Sequence, residues 1–358
     1  MKNPKQLYSI RAVFLLICFF FYGKTTANDK QNEWIEKKKS IIFIYNVTPK
    51  DKVLLDNKFG DIKVNLWDKN EVKIEVSITV NGTEETALQV LNSVDIVGKK
   101  TEGQVRIKTN IDGEGGTNKN NAKGEKKTLS IDYQVFMPKN NALNIRNSFG
   151  NIVLPTFTAP LVIHQSFGSF IAEDITNVQS EIRLEFCEKS SIKSMSNGTL
   201  TASYSGIKME KADDLKINNS FGNIEIKEVS RIDSKTSYST GLIGMIQESS
   251  NFKIEFCKGF RLGEIGKNVK ELEINASYSS INLVLSDNIS YDFEVKTNYA
   301  DFDCSDQRPI SFTRNTETED KKTHNSFNPT KHYAGKIGKG ATNCKIIVNS
   351  NFGDVRFK

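Results

Sequence analysis

Several features are scarce or missing in this chain, and each gap removes a class of function. Histidine occurs three times, at His164, His324 and His332, too few for a histidine-rich metal centre. There is no Cys-x-x-Cys pair, no glycine-rich phosphate loop and no Ser/His/Asp arrangement that can be placed, so redox, nucleotide and triad chemistry have no visible anchor. After residue 23 no apolar run approaches the ~20 residues of a membrane-spanning helix. Charge of one sign is also lacking. The formal charge is +6, but Lys2, Lys5, Arg11 and Lys24 lie in the first 27 residues, and without them it is +2. Interspersed Lys and Glu leave no electrostatic footprint for nucleic acid. No cofactor is expected.

The first 27 residues read as a secretory signal. Met1–Arg11 is basic, Ala12–Gly23 (AVFLLICFFFYG) is apolar, and Thr25-Thr26-Ala27 offers small residues for cleavage after Ala27. Cys18 does not sit in a lipobox, because Ile17 precedes it and three phenylalanines follow. The sequence thus predicts export, to the periplasm, the outer membrane surface or the medium.

Residues 28–140 read as an N-terminal α+β cap. Ile41–Tyr45, Glu71–Val80, Val105–Ile111 and Leu129–Met137 are apolar or alternating, as strands are. Thr83–Val94 reads as a helix with Ala87, Leu88, Leu91 and Val94 on one face and Glu84 and Glu85 in its first turn. Asp112–Lys127 reads as a loop. Its Asp112 and Glu114 lack EF-hand spacing.

From Leu143 one unit recurs. Leu143–Leu154 reads LNIRNSFGNIVL, Leu215–Ile226 reads LKINNSFGNIEI, and Ile346–Phe357 reads IIVNSNFGDVRF. Aligned on the aromatic residue, the series is Phe59, Phe149, Phe167, Phe186, Tyr204, Phe221, Tyr238, Phe256, Tyr278, Tyr299 and Phe352. Spacings from Phe149 to Tyr299 run 18, 19, 18, 17, 17, 18, 22 and 21, the mark of a stacked repeat. Apolar residues sit six and four before the aromatic, and three and five after it. The next residue is small, as at Gly60, Gly150, Gly168, Gly222 and Gly353, which suits a corner needing positive φ or close backbone approach. Phe is followed by Gly or Cys, and Tyr by Ser or Ala.

The fold expected is all-β: a parallel β-solenoid of ~18–22-residue coils carrying the cap. Its coils would occupy 141–304, a polar loop 305–340 and a terminal strand pair 341–358. Parity places the aromatic column inside, as a core ladder. The Phe186 and Phe256 copies lack an apolar residue at the third place, and the Tyr238 copy shifts it to Leu242. Asn325-Ser326-Phe327 imitates the motif within the loop.

The chemistry reads sparsely. Cys187 and Cys257 share an offset four coils apart, beyond the roughly 7 Å a disulfide spans. Cys304 and Cys344 are the pair a bridge across the loop would join. Glu185 and Glu255 are likewise four coils apart, too far for a glycosidase pair at about 5–10 Å. Glu173/Asp174 and Asp213/Asp214 fall in turns, and His164 lies beside Gln165 on a repeat strand. No residue is assigned to catalysis, cofactor or metal.

The stretch NKFGDIKVNLWDKNEVKIEVSITV, the NSFGN corners and the terminal KIGKGATNCKIIVNSNFGDVRFK together resemble the bacterial "putative adhesin" family over most of residues 41–358. That resemblance implies an exported envelope β-repeat protein and transfers no catalytic residue. It implies a non-enzymatic adhesin-like or scaffold role, with an envelope protein or an extracellular glycan or matrix as partner class. The alternatives are a carbohydrate-active β-helix enzyme and an envelope-stress or signalling accessory.

Overall fold

The structure, a computed structural model, describes residues 34–113, 128–177, 179–305, 307–316 and 329–358. The signal segment with Ala27, Glu114, His324 and the imitation motif at 325–327 lie outside the described residues.

The chain is all-β with one helix among the described residues. The N-terminal strands are β1 (Ile35–Asn46), β2 (Lys52–Lys58), β3 (Ile62–Trp67) and β4 (Glu71–Gly82). Helix α1 (Glu84–Ser93) follows, then β5 (Val94–Thr101), β6 (Gln104–Ile111) and β7 (Thr128–Pro138). β4 pairs antiparallel with β1 and β7, and β5 with β6. The first repeat, β2 and β3 around Phe59, sits between β6 and β7 on one side and β8 (Leu143–Leu154) on the other, all parallel. Residues 68–142 are thus inserted between the first and second copies.

Helix α1 starts at Thr83, whose hydroxyl accepts from the Thr86 amide at 3.3 Å. Its buried residues are Ala87 and Val90, while Leu88 is exposed. The apolar face is therefore rotated from the one expected, because the helix lies on the sheet along the 87–90 edge.

From β8 onward each copy pairs in parallel with the next. β8 matches β9 (Leu161–Ile175) residue for residue, Leu143 to Leu161 and Ile145 to Ile163. The same inward column continues through Ile182, Leu200, Ile217, Ser234, Phe252, Ile274 and Val348. A second wall is lined by Met195, Ala212, Val229, Ile246 and Ile265. All these side chains are buried, so each copy closes its neighbour's apolar face.

Three irregular copies resolve physically. The Phe186 and Phe256 copies each carry one extra residue after the corner, so Ser190 and Phe260 take the inward place. The Tyr238 copy is not shifted. Gly241 holds the inward place opposite Ile224, and Leu242 faces solvent. A Cβ on Gly241 would lie 2.2 Å from the Phe260 ring. The large residue of one copy fills the space left by the small residue of its neighbour.

The end of the chain departs from the expected order. The last copy does not follow the Tyr299 copy but lies between it and the Tyr278 copy. Thr342–Asn351 pairs in parallel with both Glu271–Ser277 and Ser290–Asn298. The stretch read as a polar loop supplies the reason. It contains strands Ile310–Asn315 and Thr330–Ile337, antiparallel to each other, and the second lies antiparallel on Ser290–Asn298. That covers the outer edge of the Tyr299 copy. The final strand enters the inner slot, where both its edges find partners.

Candidate functional site

The corner carries the most unusual backbone geometry among the described residues. Among the described residues, those other than glycine with positive φ are the eleven aligned aromatics, at 49–62°. This left-handed conformation costs roughly 1 kcal/mol or more for a residue with a Cβ. Parity misplaced the ring. The residue before it and the ring both turn outward, and the small residue after it turns inward. Ten of the rings are exposed, at 45–56%, and Phe59 is half-buried. The aromatic column is a surface feature, not core.

The rings form one continuous stack. It runs Phe59, Phe149, Phe167, Phe186, Tyr204, Phe221, Tyr238, Phe256, Tyr278, Phe352 and Tyr299, with centroids 4.8–5.2 Å apart and planes within 8°. The step is the spacing of hydrogen-bonded strands. Stacking is worth about 0.5–1.5 kcal/mol per pair, the same order as the backbone strain it offsets. Neighbouring rings cover each other's faces, so the surface presents ring edges. A sugar laid flat on a ring has no free face within the stack.

The small residue is explained by close approach, not by φ. Gly150, Gly168 and Gly222 keep negative or extended φ, yet a Cβ on Gly168 would lie 1.7 Å from the Gly150 carbonyl oxygen. The polar groups at the corner are matched in two ways. Beneath the Gly150 and Gly168 corners an amide side chain two before the ring donates to the neighbouring carbonyl. Asn147 Nδ2 donates to Gly60 O at 3.1 Å, and Gln165 Nε2 to Gly150 O at 2.7 Å. At tyrosine corners the serine hydroxyl accepts the amide of the preceding copy. Ser205 takes Cys187 N at 3.0 Å, Ser239 takes Gly222 N at 3.1 Å, and Ser279 takes Cys257 N at 2.8 Å. This accounts for the serine and not for the choice of tyrosine.

Beside the stack run two shallow grooves. One, of about 450 Å³, lies along Phe186, Tyr204 and Phe221 with Ser205, Gly206 and Asn223. The other, of about 590 Å³, lies along Phe221, Tyr238 and Phe256 with Ser239, Thr240 and Lys258. Their floors are small and mostly uncharged.

The other candidates disperse. Cys187 and Cys257 are buried free thiols in the inward small-residue place, and burial pushes both pKa values up. Cys344 is also a buried free thiol, pushed up to about 12 by burial and then by Asp292, so no bridge joins it to Cys304. Glu185 and Glu255 are separated by four ring steps of 4.9–5.0 Å, which places them outside a two-carboxylate geometry. Asp174 is held by Ser194 at 2.8 Å and Lys193 at 3.5 Å, and Asp214 by Arg231 at 3.2 Å. His164 is half-buried between Arg146 and Arg183 on adjacent strands. Burial, then the two guanidinium groups, lower its pKa. Among the described residues no group of three His, Cys, Asp or Glu side chains could hold a metal ion, and no helix is long and apolar enough to cross a membrane. The signal for the flanks was present in sequence: serine precedes the ring in six copies.

No family model matches the chain, and no curated protein does. Solved structures do. One is a "putative cell adhesion protein" from Clostridium sporogenes, at 10% identity, covering 90% of this chain and 99% of that one, with a TM-score of 0.21. A "putative adhesin" from Bacteroides fragilis shares 11% identity over 89% and 97% of the two chains, with a TM-score of 0.31. A "putative lipid binding protein" from Parabacteroides distasonis has 11% identity, 89% and 96% coverage and a TM-score of 0.31. At these scores the likeness carries no argument; two of the three are named for adhesion, as is the family that the corner motifs resemble.

Proposed function

We propose that this chain is an exported, non-enzymatic β-solenoid of the bacterial cell envelope with an adhesin-like interaction or scaffold role. Residues 1–27 would be removed on export, 28–140 would cap one end, and 141–304 with 341–358 would form the coils. The observation that carries the reading is the exposed ladder. Ten rings in a strained backbone conformation stand open to solvent along one line. Exposed apolar patches beyond a few hundred Å² mark interaction sites on soluble proteins. Ten half-open rings exceed that, on the order of 1,000 Å². Parallel register from copy to copy supports the solenoid. The partner classes are an envelope protein or an extracellular glycan or matrix.

Cell fractionation combined with protease shaving of intact cells tests the reading. The expected result is envelope protein without residues 1–27, accessible to protease at the surface and binding immobilised matrix or glycan. A strictly cytoplasmic protein overturns export. A periplasmic protein with no surface exposure overturns adhesion and leaves the scaffold role.

A further inference from the structure

We propose that the aromatic ladder is the contact face between two copies of this chain, an inference that rests on the ladder being an interaction surface and names its partner. Period, charge and area each point to a second copy.

The first is the repeat. The face is a row of ring edges with a notch every 4.8–5.2 Å. A partner that fills the row must carry groups at the same step. A stack of parallel strands does so inherently, since the step is the strand spacing, and this chain supplies one. A two-fold axis makes the face its own complement.

The second argument is charge. From Phe149 to Tyr238 the residues just before the rings are Ser148, Ser166, Glu185, Ser203, Ser220 and Ser237. Those two places after the rings are Asn151, Ser169, Glu188, Gly206, Asn223 and Thr240. Within this central run only the Phe186 copy carries charge there; beyond it the Phe59, Phe256, Tyr299 and Phe352 copies do, with Lys58, Asp61, Glu255, Lys258, Asp301 and Asp354. The charges at the ends are of both signs and the centre, from Tyr204 to Tyr238, is uncharged; depletion of charge at the centre is the compositional mark of an interface. The rest of the outward surface is different in kind, with ion pairs such as Arg231 to Glu248 and Lys208 to Glu225.

The third argument is area. About 100 Å² open on each of ten rings gives on the order of 1,000 Å², and a standard interface takes about 800 Å² from each partner.

Sedimentation velocity of the purified chain across micromolar concentrations tests this. The chain is expected to be a dimer with Kd on the order of 10⁻⁶ M or tighter. The triple variant Tyr204→Asn/Phe221→Asn/Tyr238→Asn removes central rings while keeping a residue that tolerates the left-handed corner. It is expected to weaken the dimer at least about tenfold. Ile42→Asn with Ile44→Asn, exposed apolar residues on β1, which pairs with β4 and not with a ring-bearing copy, should leave the dimer unchanged. Should the triple variant misfold, Thr240→Lys alone keeps every ring. It places like charges on the facing rims at an exposed position, so it weakens the dimer most at low salt. A wild-type monomer throughout, or a dimer indifferent to both variants, overturns the proposal. A monomer that still binds matrix leaves the adhesin-like reading standing, and a dimer that is never exported does the reverse.

Discussion

The buried columns and the exposed ladder follow opposite rules. The inward column through Ile163 accepts Ile, Leu, Ser, Phe and Val at successive copies. The ladder accepts only Phe and Tyr at all eleven. Burial would ordinarily be thought the stricter environment. Here a small inward residue is compensated by a large neighbour, as Phe260 fills the space over Gly241. At the corner no such exchange of large for small occurs, because every one of the eleven places holds a ring stacked on its neighbours. The core is specified by total volume, and the ladder by residue type at every step.

The sharpest break of this contrast is at the small residue between the two. In Gly168→Val the Cβ alone would meet the Gly150 carbonyl oxygen at 1.7 Å. Backbone cannot rotate away as a side chain can. We expect a loss of about 3 kcal/mol or more in chemical unfolding, larger than for any single ring. A near-neutral effect would mean that the copies separate easily at the corner.

Next comes the core. Ile217 is fully buried, with Leu200 on one side and Ser234 on the other. Ser234 is too small to relax into a cavity, and its hydroxyl is held to Thr236 at 3.0 Å. Ile217→Ala is expected to cost about 3–4 kcal/mol, toward the upper part of the usual range. Ile163→Ala, with Ile145 and Ile182 as neighbours, should cost less. If the order is reversed, compensation by neighbours is not what governs the column.

How the sequence carried these two regions differs as well. The all-β class, the inward residues before the ring and the corner positions were legible, because alternation is a local signal and the aromatic series is evenly spaced. Ring burial was misread. Parity counted in even steps up to the ring placed the break after it, whereas the ring is itself the left-handed residue, which turns two successive side chains outward. Nothing local in Tyr-Ser or Phe-Gly reports that reversal; the polar residues on both sides of the ring do so only when the copies are compared. The insertion of the last copy was not legible either. Spacing orders copies along the chain, and the strand pair 310–315 and 330–337 that closes the outer edge was hidden in a polar stretch. The Leu242 shift failed for a related reason, since a glycine in an inward place makes sense only once Phe260 is seen above it.

A smaller effect is expected at the ladder. Phe221 lies at the centre of the stack, with Tyr204 at 4.9 Å and Tyr238 at 5.0 Å. Phe221→Ala loses two stacking contacts and keeps the strain, so the loss should be about 1–2 kcal/mol. Phe221→Gly loses the same contacts and relieves the strain, so it should be less harmful than alanine at this site. A double-mutant cycle between Phe221 and Tyr238 should give a coupling of about 0.5–1.5 kcal/mol. Alanine and glycine of equal stability would remove strain from the account. Zero coupling would remove stacking.

The smallest expected effect lies beside the ladder, at His164. Its strand neighbours are Arg146 and Arg183, with Glu181 and Glu185 acting weakly in the opposite direction. Burial and the two guanidinium groups lower its pKa from the ordinary value of about 6.5. Between that lowered value and about 6.5 the unfolded chain binds more protons than the folded one. Stability is therefore fully present above about 6.5 and declines as pH falls through the folded value. His164→Gln removes the titration and should flatten the profile over that window alone, leaving stability at neutral pH nearly unchanged. The inward Gln165, which donates to Gly150 O at 2.7 Å, provides the contrast on the adjacent residue. Gln165→Ala should lower stability uniformly by about 1 kcal/mol with no change in slope. If His164→Gln leaves the slope as it was, the acid-sensitive group lies elsewhere, and Asp51, lowered chiefly by the Thr48 amide, is the next carboxylate to test at more acidic pH.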